Sequence, residues 1–213
     1  MEMGLTGVEI EGLAVSFYER LGFDATEPID TFRLARKRLG PHGILLGTSI
    51  VGLPAARFVK DGMTRIAVNK RLSMPYAMFF AGHELGHEIC DEIGYREDDL
   101  ERVCDHLGAA LQAPMPAVRK LYRALGNDLK EIADEVGATQ TWAALRLAEY
   151  LKIPRAVLTP QRIYLRGPDE FVWGPEDELR RIGHARKARP GITKVRLTDD
   201  TRRIVIDIDE LAS

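Results

Sequence analysis

Apolar residues recur at helical spacing along most of this chain, and the pattern shifts to alternation in two places. In "GVEIEGLAVSFYERLGF" the helical set is Val8, Leu13, Val15, Phe17 and Leu21, with Gly22 as a stop. "DTFRLARKRLG" predicts a second, short helix, capped by Asp30 or Thr31 and ended by Gly40. The Gly-rich "GPHGILLGTSIVGLP" then leads into "AARFVKDGMTRIAVNK". There, Asp61-Gly62 between two alternating runs predicts a hairpin and a small antiparallel sheet. Pro75 marks a helix start, because a missing N–H costs little in the first turn, and the helix runs to Gly94. "EDDLERVCDHLGAALQAP" predicts a second long helix with acids near its positive end and Pro114 beyond it. Helical segments follow in "PAVRKLYRALG", "DLKEIADEVG" and "TQTWAALRLAEYLKI". Then come strand-like "RIYLRG" and "EFVWG", a basic helix in "PEDELRRIGHARKARPG", and a final alternating pair in "TKVRLTDDTRRIVIDID". Helices with a small segregated sheet define an α+β domain.

Composition narrows the class. With 213 residues, 45% of them hydrophobic and 29% charged, the chain can bury a substantial core. A formal net charge of -2 gives no global argument for nucleic-acid or membrane binding, so such a role must rest on a local patch. Two cysteines, Cys90 and Cys104, are too few for a disulfide framework. The N-terminal stretch lacks the pattern of a signal peptide, and no run approaches the roughly 20 apolar residues of a membrane span. A soluble, cytoplasmic protein is the expectation, with no membrane partner.

The chemistry concentrates in "FFAGHELGHEIC". On a helix His83 and His87 lie on one face, one turn apart, where two imidazoles can share an ion. Glu84 is rotated by about 100° from His83, which sets its carboxylate beside the metal position rather than on it, as a general base requires. The apolar flanks predict a half-buried helix, in which imidazoles without partners would be costly. A catalytic zinc usually has three protein ligands. The third is expected from the following helix, among Asp98, Asp99, Glu101, Cys104, Asp105 and His106. Glu101 and Asp105 share a face, and spacing alone does not choose between them.

These stretches together resemble the ImmA/IrrE family of metallopeptidases. "TRIAVNKRLSMPYAMFFAGHELGH" resembles the family's strand and HELGH helix, "LERVCDHLGAALQAP" its second-helix motif, and "LKEIADEVGATQTWAALRLAEYLKI" its downstream segment. "PIDTFRLARKRLG" is similar to its opening helices, so the resemblance covers roughly residues 10 to 165. It implies a mostly helical, zincin-like (minimal thermolysin-like) domain over residues 1–165, with Zn2+ held by His83, His87 and Glu101, and Glu84 as base. It also implies a regulatory endopeptidase that cuts a helix-turn-helix repressor after a stress, DNA-damage or phage-related signal. Val103 stands where many members carry a second acid, Leu107-Gly108 replaces Phe-Ala, and Gln112-Ala113 stands where Leu-Met is common. These departures imply a different pocket floor.

Other residues carry secondary expectations. Cys104 is either a thiolate that can occupy the metal's open position or a small core residue, and Cys90 is a core residue. Asp105 is a candidate partner for the second nitrogen of a ligating imidazole. Arg146 is a candidate contact for a substrate carbonyl or oxyanion, or else the partner of an acid. Residues 166–213 form a candidate regulatory or docking element. Its Arg180, Arg181, Arg186, Lys187 and Arg189 offer contacts to nucleic acid, a candidate activator, or else a solvated face. A non-proteolytic metal-binding module that binds a repressor or nucleic acid is the alternative to the peptidase.

Overall fold

The computed structural model describes residues 4–47 and 53–152 in full. Beyond them it gives the backbone of strand segments 155–158, 163–166, 171–174, 192–197 and 204–208. The order is α1 (Gly7–Arg20), α2 (Thr31–Leu39), β1 (Ile44–Gly47), β2 (Ala55–Lys60), β3 (Met63–Asn69), α3 (Met74–Ile93) and α4 (Leu100–Gln112). It continues with α5 (Met115–Leu125), α6 (Leu129–Val136), α7 (Gln140–Leu151), β4 (Arg155–Leu158), β5 (Ile163–Arg166), β6 (Phe171–Gly174), β7 (Ile192–Leu197) and β8 (Ile204–Ile208). Mixed helix and small sheet make this an α+β fold.

Local chemistry sets the helix ends. Thr6 and Glu9 form a reciprocal capping box at the start of α1, and the Asp30 side chain accepts the Phe32 N–H at the start of α2. Pro75 lies in the first turn of α3, and Gly94 ends it in the left-handed conformation at φ 70°. The buried face of α1 is Ile10, Ala14, Phe17 and Tyr18, whereas Val8 is 76% exposed. Of the stripe read from sequence only Phe17 belongs to this face; Leu13, Val15 and Leu21 are partly buried beside it, and Val8 lies off it.

The first sheet has the order β1-β3-β2. Its hairpin β2–β3 closes with Lys60 opposite Met63, and Asp61 and Gly62 take φ 53° and 73°. Positive φ at both central residues is the twist that a two-residue hairpin needs. The sheet is not purely antiparallel as expected: β1 pairs parallel with β3, Ile44 opposite Ile66. A parallel edge needs a crossover rather than a tight turn, which local turn signals do not reveal. A second, five-stranded antiparallel sheet has the order β6-β5-β4-β8-β7. It begins at Arg155, and β5 runs across the expected domain boundary at residue 165.

Two buried clusters meet at α4. One joins α1, α2, the first sheet and α3 to Val103, Cys104, Leu107, Ala110 and Leu111. The other packs Ala109 and Ala113 against α5, α6 and α7, with the Trp142 indole donating to the Ala109 carbonyl at 3.1 Å. Helices α3 and α4 cross in close backbone contact. A Cβ on Gly82 would lie 2.9 Å from the Gly108 carbonyl oxygen, and one on Gly108 would lie 2.9 Å from the His83 nitrogen. Gly108 is thus the residue that lets α4 approach the histidine-bearing turn of α3. Among the described residues no helix is long and apolar enough to cross a membrane.

Candidate metal centre

The α3–α4 crossing brings the predicted residues together. His83 Nε2 and His87 Nε2 are 3.2 Å apart. Glu101 on α4 presents one carboxylate oxygen 3.4 Å from His83 Nε2 and the other 3.5 Å from His87 Nε2. A tetrahedral ion with ligands at roughly 2.0–2.1 Å separates its ligand atoms by roughly 3.3–3.4 Å. The donors observed are two imidazole nitrogens and a carboxylate at nearly that separation, so His83, His87 and Glu101 fit a divalent cation such as zinc. Both imidazoles are largely buried, whereas the Glu101 side chain is 76% exposed, which leaves one side of the group open to an incoming molecule.

Asp105 takes a different position. Its carboxylate lies 2.9 Å from His83 Nδ1. With Nδ1–H donating to Asp105, the His83 Nε2 lone pair is directed at the other two ligands. Spacing could not separate Glu101 from Asp105 because both lie on the same face of α4. Their side-chain lengths and levels decide: Glu101 reaches Nε2 of both rings, and Asp105 reaches only the back of one. Burial opposes a charged His83 ring, but the hydrogen bond and charge of Asp105 outweigh it, and the pKa is raised. Burial, followed by the neighbouring His83, lowers that of His87. Replacing Asp105 by Ala should weaken metal binding by about 10–100-fold without removing a ligand. Competition against a chromophoric chelator measures this, and wild-type affinity in the variant would remove Asp105 from that role.

Glu84 is half-buried on the turn between the two histidines, and its charge acts on both rings. The remaining ligand candidates are engaged elsewhere. Asp99 bonds to Tyr95 and Arg102, while Asp98 is exposed on the α3–α4 connection. Cys104 is fully buried and hydrogen-bonded to Cys90, so the thiolate ligand considered from sequence gives way to a core thiol pair.

His106 does not join the metal group, and of the two roles expected for Arg146 the structure shows the partner of an acid. His106 Nε2 faces away from the metal group, 3.2 Å from Glu11 and 2.9 Å from Glu149. Arg146 is 2% exposed. Its guanidinium bonds both oxygens of Glu11, Glu149 at 2.6 Å, and the Ala113 carbonyl at 3.0 Å. Glu11, His106 and Glu149 also lie close enough to share an ion. There, however, Arg146 already supplies the cation between the carboxylates, so this cluster is an internal clasp of α1, α4 and α7. The Glu11 carboxylate was missed in the sequence because "EIEG" on an amphipathic helix reads as a solvated acid. Arg180, Arg181, Arg186, Lys187 and Arg189 lie outside the described residues.

No family model matches the chain, and no curated protein matches it. Among solved structures it resembles a Mycobacterium tuberculosis transcriptional regulator, with a TM-score of 0.57 and 11% identity over 95% of this chain and 76% of that one. At that identity the likeness is one of fold.

Proposed function

We propose that this chain is a zinc-dependent endopeptidase with a zincin-like, minimal thermolysin-like core, of the ImmA/IrrE kind that its motifs resemble. The observation that carries the reading is the convergence of His83, His87 and Glu101 at tetrahedral spacing, with Glu84 on the same helix turn. Zinc, when bound, supplies Lewis-acid chemistry, lowering the pKa of water and polarising a carbonyl. The chain's own contribution is positional and acid–base. Asp105 fixes the His83 ring. The Glu84 carboxylate takes a proton from the attacking water and returns it to the leaving amine. Close packing of α3 on α4 holds the ligands without a loop in between.

The substrate in this reading is a helix-turn-helix repressor, cut in response to a stress signal, and the transcriptional regulator of similar fold agrees with a role in gene control. The same similarity also fits a non-proteolytic module that binds a repressor, for which Glu84 would be dispensable.

Metal analysis tests the site. The purified wild type should carry about one zinc per chain after zinc is supplied, and His83→Ala and Glu101→Ala should each lose it. Zinc retained in Glu101→Ala would remove Glu101 from the set. A wild type that takes up no zinc would end the metallopeptidase reading.

A further inference from the structure

Cys90 and Cys104 are the chain's two cysteines, and the fold brings them together across the α3–α4 interface. Both are fully buried, and their thiols are hydrogen-bonded to each other. Neither is needed for the metal centre described above. Each lies one turn C-terminal to a member of it: Cys90 three residues after His87, and Cys104 three after Glu101. The interface is tight here, since a Cβ on Gly86 would lie 3.1 Å from the Cys104 Cα.

We propose that Cys90 and Cys104 form a reversible disulfide that bolts α3 to α4 and weakens metal binding at His83, His87 and Glu101. The second half rests on the metal reading above; the first does not.

The geometry supports both halves. Facing thiols on adjacent helices need only close from hydrogen-bond contact to a bond of about 2.05 Å. The pair sits near the connected end of the α3–α4 hairpin, where residues 91–94 are exposed, so a fraying last turn of α3 gives a small oxidant access. The hydrogen bond from Cys104 lowers the Cys90 thiol below its ordinary value, which makes Cys90 the attacking sulfur. The oxidant is a small hydroperoxide, because a bulky disulfide cannot reach a buried pair. The Cys90 thiol gives up its proton, its sulfur attacks the peroxide oxygen, the O–O bond breaks, and the leaving oxygen takes up that proton as an alcohol or water, giving a sulfenic acid. The Cys104 sulfur then attacks Cys90, the S–O bond breaks, and hydroxide leaves with the Cys104 proton as water. Two thiols lose two electrons, and the peroxide gains them.

Closure must also move something. Backbone contact at Gly86 blocks a simple approach of the helices, so the shorter sulfur distance is met by turning α4 against α3. Glu101, one turn from Cys104, moves with α4, and His87 stays with α3. Metal sites tolerate about 0.2 Å in ligand distance, so a small rotation separates the carboxylate from the imidazoles.

The test uses the full chain titrated with hydrogen peroxide, then denatured, alkylated and weighed by intact-mass spectrometry. The expected product has lost two hydrogens, takes up no alkylating agent, and regains two alkylatable thiols after dithiothreitol. Peptide mapping should show Cys90 joined to Cys104. Zinc affinity, measured by chelator competition, should fall by roughly tenfold or more in the oxidised form and return on reduction. Cys90→Ala and Cys104→Ala should keep their zinc affinity in peroxide; should either fail to fold, the wild-type mapping decides alone. Oxidation of one cysteine to a sulfinic acid with the other still free would overturn the disulfide, as would a cross-link formed only in urea. A native disulfide with unchanged zinc affinity would overturn its effect on the metal. A reduced protein that never binds zinc would sink the metal reading, while the cross-link is still decided by mass.

Discussion

If the proposed peptidase reading holds, Glu84→Gln should keep its zinc and lose its peptidase activity. The substitution preserves the size and hydrogen-bonding reach of the side chain but removes its capacity to accept a proton. Glu84 is not among the residues whose ligand atoms converge on the metal position, so the three-ligand set is unchanged. General-base catalysis contributes about 10²–10⁴-fold, equivalent to about 3–5 kcal/mol of barrier. The measurement is single-turnover cleavage of a candidate helix-turn-helix repressor, with metal content determined on the same samples. A rate loss in that range at full zinc occupancy supports the peptidase. Undiminished repressor inactivation by Glu84→Gln, with no cleavage by either protein, would establish the non-proteolytic module instead.

That His83 and His87 share a face while Glu84 stands off it was legible in the sequence because it follows from helix geometry alone. Residues four apart must share a face, and the residue after the first must not. Helix ends were legible for a similar reason: Asp30, Pro75 and Gly94 act through their own backbones and immediate neighbours. The hairpin at Asp61-Gly62 is of the same local kind. What escaped depends on contacts between segments distant in sequence. The parallel pairing of β1 with β3, the thiol contact of Cys90 with Cys104, and the choice between Glu101 and Asp105 all depend on how one element lies on another. Gly108 was visible only as a departure from the family pattern; the reason for it, the His83 backbone 2.9 Å from where a Cβ would sit, is tertiary.

Arg146 was expected at most as the partner of an unnamed acid; the clasp it forms with Glu11 and Glu149 escaped, and it carries the largest expected effect on stability. Glu11 on α1 and Arg146 on α7 are 135 residues apart, yet Arg146 bonds both Glu11 oxygens, while Glu11 also accepts the Met115 N–H at 3.0 Å. Arg146→Met retains most of the side-chain volume and removes the charge, leaving the buried Glu11 and Glu149 carboxylates beside His106 without the guanidinium. Breaking a buried pair from one side costs about 3–5 kcal/mol, which for a domain of this size is a large part of its stability. The pH dependence should change sign as well. In the wild type, burial alone would raise the Glu11 pKa, but the Arg146 charge outweighs it with help from the His106 and Arg146 hydrogen bonds, and the pKa is lowered. A depressed carboxylate contributes its full stabilisation above the unfolded value near 4.3 and loses it as pH falls through that value towards the folded one. Without Arg146, burial dominates, and the folded-state carboxylates bind protons more readily than the unfolded chain. The contribution of these carboxylates to the variant's stability should therefore rise as the pH is lowered from neutrality towards 4.3, where the Glu11 contribution in the wild type is flat. Urea denaturation at a series of pH values measures both slopes. Adding Glu11→Gln and Glu149→Gln to Arg146→Met should recover much of the loss, because the cost lies in uncompensated charge rather than in a missing contact. A triple variant no more stable than Arg146→Met would place the cost in packing around α7 instead.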